Sequence, residues 1–459
     1  MPADVPPDSL PRGSGETDRP GAAGSEADRR AAPASTPARV DAIASLRNGG
    51  FLLFVLGSLV SNAGNLMRTT AVGWEVYART KDPLSLGLVG LVLAVPVLLL
   101  ALPAGALADR YPRKRLILTA QVGLAASGAG LAWASWTAAP LAFTYGFLLM
   151  SGVFRALGWP ASQAFVTNLV PQAEFANAAM WRSVAYQLSA TLGPLAAGVL
   201  IAVYSPGLVY ALDASSSLVL FACLLFIVPG PQELNTEARS WKSLLDGARF
   251  VGRQPVILST ITLDMVAVLF GGATALLPIF AADVLNVGAE GFGWMRAMPS
   301  LGAIATGLVL AVRRPMRHAG RAMLLAVAAF GVATIVFGLS TSFPLSLAAL
   351  FALGAADNVS VVIRSTVIQL LTPDAMRGRV AAVNAVFIGT SNEIGEFESG
   401  LVASWIGAVR TVALGGVLTL VTVAAVAAKW PQLRRVGALD SLEPAPFGPP
   451  APAASPVPL

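Results

Sequence analysis

Twelve long runs of nearly unbroken apolar residues leave this chain few folds to choose from. They fall at about 51–78, 84–108, 116–136, 140–169, 176–204, 207–229, 255–283, 291–312, 322–341, 345–371, 379–405 and 408–428. Each is long enough to cross ~30 Å of hydrocarbon at ~1.5 Å per residue. A backbone in hydrocarbon has no water to bond, so runs of this length read as helices that satisfy their own N–H and C=O groups. Composition agrees, because 55% of the 459 residues are hydrophobic and only 12% are charged, far from an ordinary soluble domain. The chain is read as an all-α integral membrane protein of twelve transmembrane helices, spans 1 to 12.

Charge sets the orientation. Of the 31 Lys and Arg, with Arg379 and Arg410 at the edges of spans 11 and 12 counted as flanking residues, 23 lie before span 1, in connections after even-numbered spans or beyond span 12, against 3 in connections after odd-numbered spans. Basic residues flanking spans are retained in the cytoplasm, so both termini are expected on that side of a cell membrane. The same retention explains the net charge of +6, and no basic aromatic groove points to a nucleic-acid partner. Residues 1–46 and 429–459 are expected to be disordered cytoplasmic tails, and 1–46 lack the apolar core of a secretory signal. Cys223 and His318 are the single cysteine and histidine, which excludes a disulfide framework, a Cys/His zinc site and a histidine-based triad. There is no phosphate loop of the Gly-x-x-x-x-Gly-Lys-Ser/Thr kind. No catalytic residue, metal or cofactor is expected, and any work must be driven by a gradient.

The chain repeats itself at an offset of about 202 residues. Gly152, Pro171, Gly193 and Gly198 fall on Gly354, Pro373, Gly395 and Gly400, and Gly87 falls near Gly291. Duplicated halves place a substrate site at their interface near the bilayer midplane. The halves are expected at 47–229 and 255–428, joined by a cytoplasmic linker, 230–254.

Between spans 2 and 3 stands Gly105-Ala-Leu-Ala-Asp109-Arg110-Tyr-Pro112-Arg113-Lys114-Arg115. Topology asks for the basic residues but not for an acid at the end of a span. The stretch resembles the signature between helices 2 and 3 of the major facilitator superfamily, with Pro112 in place of a glycine. Its second-half counterpart, residues 313–321, keeps basic residues and has lost the acid. Ser391-Asn-Glu393-Ile-Gly395-Glu396-Phe-Glu398-Ser-Gly400, with Pro373-Asp-x-x-Arg-Gly-Arg379, resembles the branch of that superfamily that includes the enterobactin exporter and related siderophore and drug efflux proteins. Ser189 to Gly198, with Gly193 and Pro194, resembles the exporter signature of helix 5, whose small residues permit close helix packing.

The resemblance implies two six-helix bundles and a monomer moving a small organic molecule against protons by alternating access in the bilayer. It implies a gate at Asp109, Arg110, Arg113 and Gly105, in which Asp109 docks on the start of span 11 near Met376–Arg379. It also implies a cavity lined by spans 1, 4, 7 and 10.

Charges inside spans need partners or water. Asn62, Asn65 and Arg68 form a stripe of span 1 expected to face the cavity. Asp264 and Arg364, at similar depths in spans 7 and 10, are expected to pair, and Asp357 shares the face of Arg364. Arg155 resembles the arginine of the helix 4 motif linked with proton coupling, and the repeat sets it opposite Asp357. Glu393 and Glu396 are expected to include the proton carrier, with Arg68 reaching Glu396. Uptake of a nutrient and a transport-inactive receptor or scaffold remain alternatives to export.

Overall fold

The structure, a computed structural model, describes residues 43–232, 241–271, 273–312 and 316–438. Its first half comprises α1 Gly49–Thr80, α2 Pro83–Arg110, α3 Arg113–Trp136, α4 Leu141–Phe165, α5 Phe175–Val203 and α6 Pro206–Phe226. A linker helix, α7 Trp241–Arg253, leads to α8 Pro255–Phe270, α9 Ala273–Ile279, α10 Gly288–Val312, α11 Ala319–Leu339, α12 Phe343–Leu371, α13 Asp374–Ile406, α14 Ala408–Lys429 and α15 Pro431–Arg435. No strand occurs among the described residues.

Sharp, capped turns explain how long helices follow one another so closely. α1 ends where Lys81 enters the left-handed region at φ 53°. The next residue, Asp82, accepts from the N–H groups of Leu84 and Ser85, 3.1 Å each, with Pro83 at the first helical position. A side-chain cap of this kind is worth ~1 kcal/mol, and proline loses no bond at that position.

Among the described residues, eleven segments are long and apolar enough to cross a membrane. α13 is longer, at 33 residues, but carries Glu393, Glu396 and Glu398, so span 11 matches in length and not in composition. Span 7 is not one helix. It breaks at Gly271, resumes as α9 and ends in a π-helical turn, Phe280–Val284. Glycine and Pro278 weaken the backbone ladder there.

Short helices occupy the expected linker and the start of the expected C-terminal tail. The linker 230–254 contains α7, whose Phe250 and Val251 are buried against Met376, Val380 and Val383 of α13. The expected tail from 429 first forms α15, with Leu433 and Val436 buried. Carbonyls of Gly437 and Val436 accept from Ala319 and Gly320 at 3.0 and 3.3 Å, filling donors that the start of α11 leaves unused. At the other end Ser45, within the expected first tail, donates its hydroxyl to Asn177 on α5 at 2.5 Å. The rest of both tails and residues 313–315 of the second-half turn lie outside the described residues.

The two halves cross in two places, and the repeat governs both. A methyl added to Gly198 on α5 would lie 2.9 Å from Gly293 on α10, and one on Gly400 of α13 would lie 2.6 Å from Gly87 of α2. One and a half turns earlier, Gly193 presses on Ala63 of α1 and Gly395 presses on Val268 and Leu269 of α8. The offset of 202 residues is thus a two-fold arrangement in space, in which each half lends one glycine-faced helix to the other.

The face carrying both described ends of the chain is called the terminal face, and the opposite one the far face. Burial differs between them. One apolar cluster joins both halves toward the far face, with Val76 and Tyr210 beside Phe280, Phe292 and Phe337. Toward the terminal face the clusters are separate, one around Phe51, Phe165 and Leu224, and others around Met323, Ile363 and Val380.

Candidate functional site

The basic turn does more than flank a span. Arg113 Nη1 donates to the carbonyl of Ala164 and to Thr167 Oγ1, 3.0 Å each, and to Asn168 Oδ1 at 2.8 Å. Lys114 Nζ donates to the Ile227 carbonyl at 2.8 Å. The ends of α4 and α6 leave carbonyls without helical partners, and cationic side chains suit those ends. Gly105 is buried, Asp109 half-buried and Arg110 exposed at the end of α2. The start of α13, where Asp109 is expected to dock, meets α7: Gly247 packs on the Arg379 carbonyl and Asp246 lies 3.9 Å from the Arg379 guanidinium.

Within the first half, Arg68 is buried, 3.5 Å from Asp213 of α6, and donates to Asn65. The expected reach of Arg68 to Glu396 is therefore wrong. α1 packs its Gly64 against α6, where an added methyl would lie 3.1 Å from the Asp213 backbone. That approach rotates Arg68 into its own bundle, while α13 lies against α2. Asn62 and Asn65 remain half-buried on α1.

Within the second half, Asp264 of α8 and Arg364 of α12 form the ion pair expected from their depth, with side chains 7% and 6% exposed. A buried pair of this kind is costly to break from one side only. Asp357 lies two turns from Arg364 and does not face Arg155.

Arg155 instead bridges the halves. Its Nη2 donates to Glu393 Oε1 at 2.6 Å, from near the middle of α4 to near the middle of α13. Glu396, one turn on, packs on Gly90 of α2, where an added methyl would lie 2.8 Å from its Cβ. Arg296 of α10 lies within electrostatic reach of Glu396. The mid-depth interface thus gathers two acids from one half with an arginine from each. The side chains of Arg155 and Glu393 are 34% and 17% exposed.

The sequence reading missed a second bridge. Asp283 in the π turn accepts from Tyr77 and, at 3.3 Å, from Lys81 Nζ at the end of α1. Nearby, Trp74 stacks on Phe292, ring centroids 5.9 Å apart. No local pattern marks such a contact, because its partners are 206 residues apart.

Over residues 40–455 the chain matches the family of transmembrane secretion effectors. The chain belongs to that family, within the major facilitator superfamily. It is 26% identical over 376 residues to the uncharacterised MFS-type transporter YfiS of Bacillus subtilis, covering 78% of this chain and 88% of that protein. It is 28% identical over 277 residues to the enterobactin exporter EntS of Shigella boydii, covering 60% of this chain and 66% of the exporter. Among solved structures it resembles a bacterial homologue of the human lysosomal transporter Spinster, captured inward-facing and unoccupied, with TM-score 0.66 at 14% identity over 84% of this chain and 98% of that one. The human organic anion transporter MFSD10 matches with TM-score 0.59 at 20% identity, over 83% and 99%. These likenesses show the fold. The protein is a multi-pass membrane transporter of a small molecule, not an enzyme.

Proposed function

We propose that this transporter exports a small organic molecule, a siderophore or an amphipathic drug, in exchange for protons, as a monomer in the cell membrane with both termini in the cytoplasm. The observation that carries this reading is the Arg155–Glu393 ion pair, which ties one half to the other at mid-depth. Protonating Glu393 removes its charge, so the contact weakens and the halves are released to rock; losing the proton re-forms it. Glu396, one turn away on the same helix face, crowds a second carboxylate into the site, and like charges together favour holding one proton.

Charge and packing support this direction. The basic connections favour a cytoplasmic terminal face. Among the described residues the apolar cluster that joins the halves lies toward the far face, which supports substrate entry from the cytoplasmic side. A proton leaving Glu393 there would let Arg155 close on the ionised acid and hold this state open, and substrate must then loosen the pair before the halves rock outward with it. Asn62, Asn65 and the Asp264–Arg364 pair supply polar groups on the cavity helices, and the likeness to an enterobactin exporter favours a siderophore.

Inverted membrane vesicles energised with an inside-acid proton gradient should accumulate a catecholate siderophore or a cationic amphipathic dye. Collapse of the gradient should abolish the accumulation. Accumulation in right-side-out vesicles instead would establish uptake, and none in either orientation for either probe would contradict the export reading.

A further inference from the structure

The second half encloses a small cavity between α8, α11 and α12, with room for about one water molecule. Asp264 of α8 lines it, as do Asp357 and Ser360 of α12, with Val327 and Phe330 of α11 closing the remaining side. The charges here do not balance. Arg364 is matched by Asp264, which leaves Asp357, two turns away on α12, as a second carboxylate without a counter-charge. Asp357 makes no hydrogen bond or ion pair among the described residues. Ser360 is 2% exposed, and its Oγ has no hydrogen-bond partner.

Among the described residues, no other charge faces the site. On α11 the charged residue is Arg321, exposed at the helix start. On α10, packed along the other side of α12 by the bond from Asn358 to the Ala303 carbonyl, Glu290 is exposed and Arg296 serves Glu396. Duplication supplies no partner either. Asp357 is the repeat counterpart of Arg155, and the counterpart of Glu393 is the neutral Thr191.

An ionised carboxylate with no partner is expensive inside a membrane, and neutralising it removes that cost. We propose that Asp357 binds a proton in this state and hands the hydrogen bond to Ser360 Oγ through one water molecule in the cavity that both residues line, forming a proton site separate from Glu393 and Glu396. A proton suits the site better than a metal cation does. It needs one acceptor, and Ser360 offers one, whereas the Asp264 carboxylate is already engaged by Arg364. When Arg364 changes partner from Asp264 to Asp357, the proton leaves one acid and the other takes one up, so the charge of the bundle is conserved. The proposal builds on the transporter reading only in placing α12 within the bilayer.

Infrared difference spectroscopy of the full-length protein in lipid vesicles at neutral pH tests it without any transported substrate, so failure of the export reading would leave this result standing. The wild type should show the carbonyl stretch of a protonated carboxyl that Asp357→Asn lacks and that is unchanged when potassium replaces sodium. Ser360→Ala, which keeps the acid, should retain that band and shift its frequency. A wild-type spectrum identical to that of Asp357→Asn would overturn the proposal. So would radioactive sodium binding that Asp357→Asn abolishes, or a Ser360→Ala band at the wild-type frequency.

Discussion

The two crossings between the halves share a backbone and differ in chemistry. Where α5 meets α10, glycine faces glycine and the repeat positions of the acids hold Thr191 and Pro194. Where α13 meets α2, the same glycine contact is flanked by Glu393 and Glu396, and Arg155 reaches in to pair with the first of them. Gene duplication supplies a symmetric pivot, since small residues let two helices approach at either place. Under the proposed function, charge on one copy makes that crossing responsive to protons while the other remains a passive bearing. A transporter built on two equal charged crossings would gain no asymmetry from this source.

The largest effect that separates the crossings should come from the ion pair. Glu393→Gln and Arg155→Gln should each abolish gradient-driven accumulation yet leave substrate exchange down its own gradient measurable, because only the coupled step is lost. The double variant should resemble either single one, since both residues act in one interaction. Full gradient-driven accumulation by Glu393→Gln would make the two crossings equivalent after all.

A smaller effect should come from the glycines, and here the crossings should agree. Gly198→Ala and Gly400→Ala each place a methyl within 3 Å of a facing backbone, an overpacking of ~1–3 kcal/mol. Both should expose far-face residues of α1 to an impermeant thiol reagent, tested with a Val76→Cys reporter in a Cys223→Ser background. Equal labelling of parent and variant would show that the far face does not depend on close helix approach.

The smallest effect is expected at the terminal face. If Asp109 docks on the start of α13 when that face closes, the contact with its helix amides is worth roughly 0.3–1 kcal/mol exposed and up to ~2 when partly buried. Asp109→Asn should slow transport several-fold at unchanged expression and leave the wild-type response to gradient size intact. A change in that response would move Asp109 from the gate to the coupling machinery.

Depth and symmetry were readable in the chain, and rotation was not. A residue's distance along a helix axis is set by counting at ~1.5 Å per residue, which is why Asp264 and Arg364 could be paired from sequence. The same counting set Arg68 level with Glu396, but depth says nothing of which neighbour a helix turns toward. Gly64 draws α1 onto α6, so Arg68 closes on Asp213. Arg155 likewise had two acids within its range of depth, and the packing of α13 against α2 gave it Glu393 rather than Asp357.

By itself, then, the order of residues determined a membrane-spanning helical chain, its charge-sorted faces and its duplication, because hydrocarbon thickness and the cost of buried charge act on local runs. The tertiary structure alone decided which charges meet, how span 7 breaks, and where α7, α15 and the bond from Tyr77 to Asp283 lie. Those depend on helix rotation and on contacts between segments some 200 residues apart, which no local period encodes.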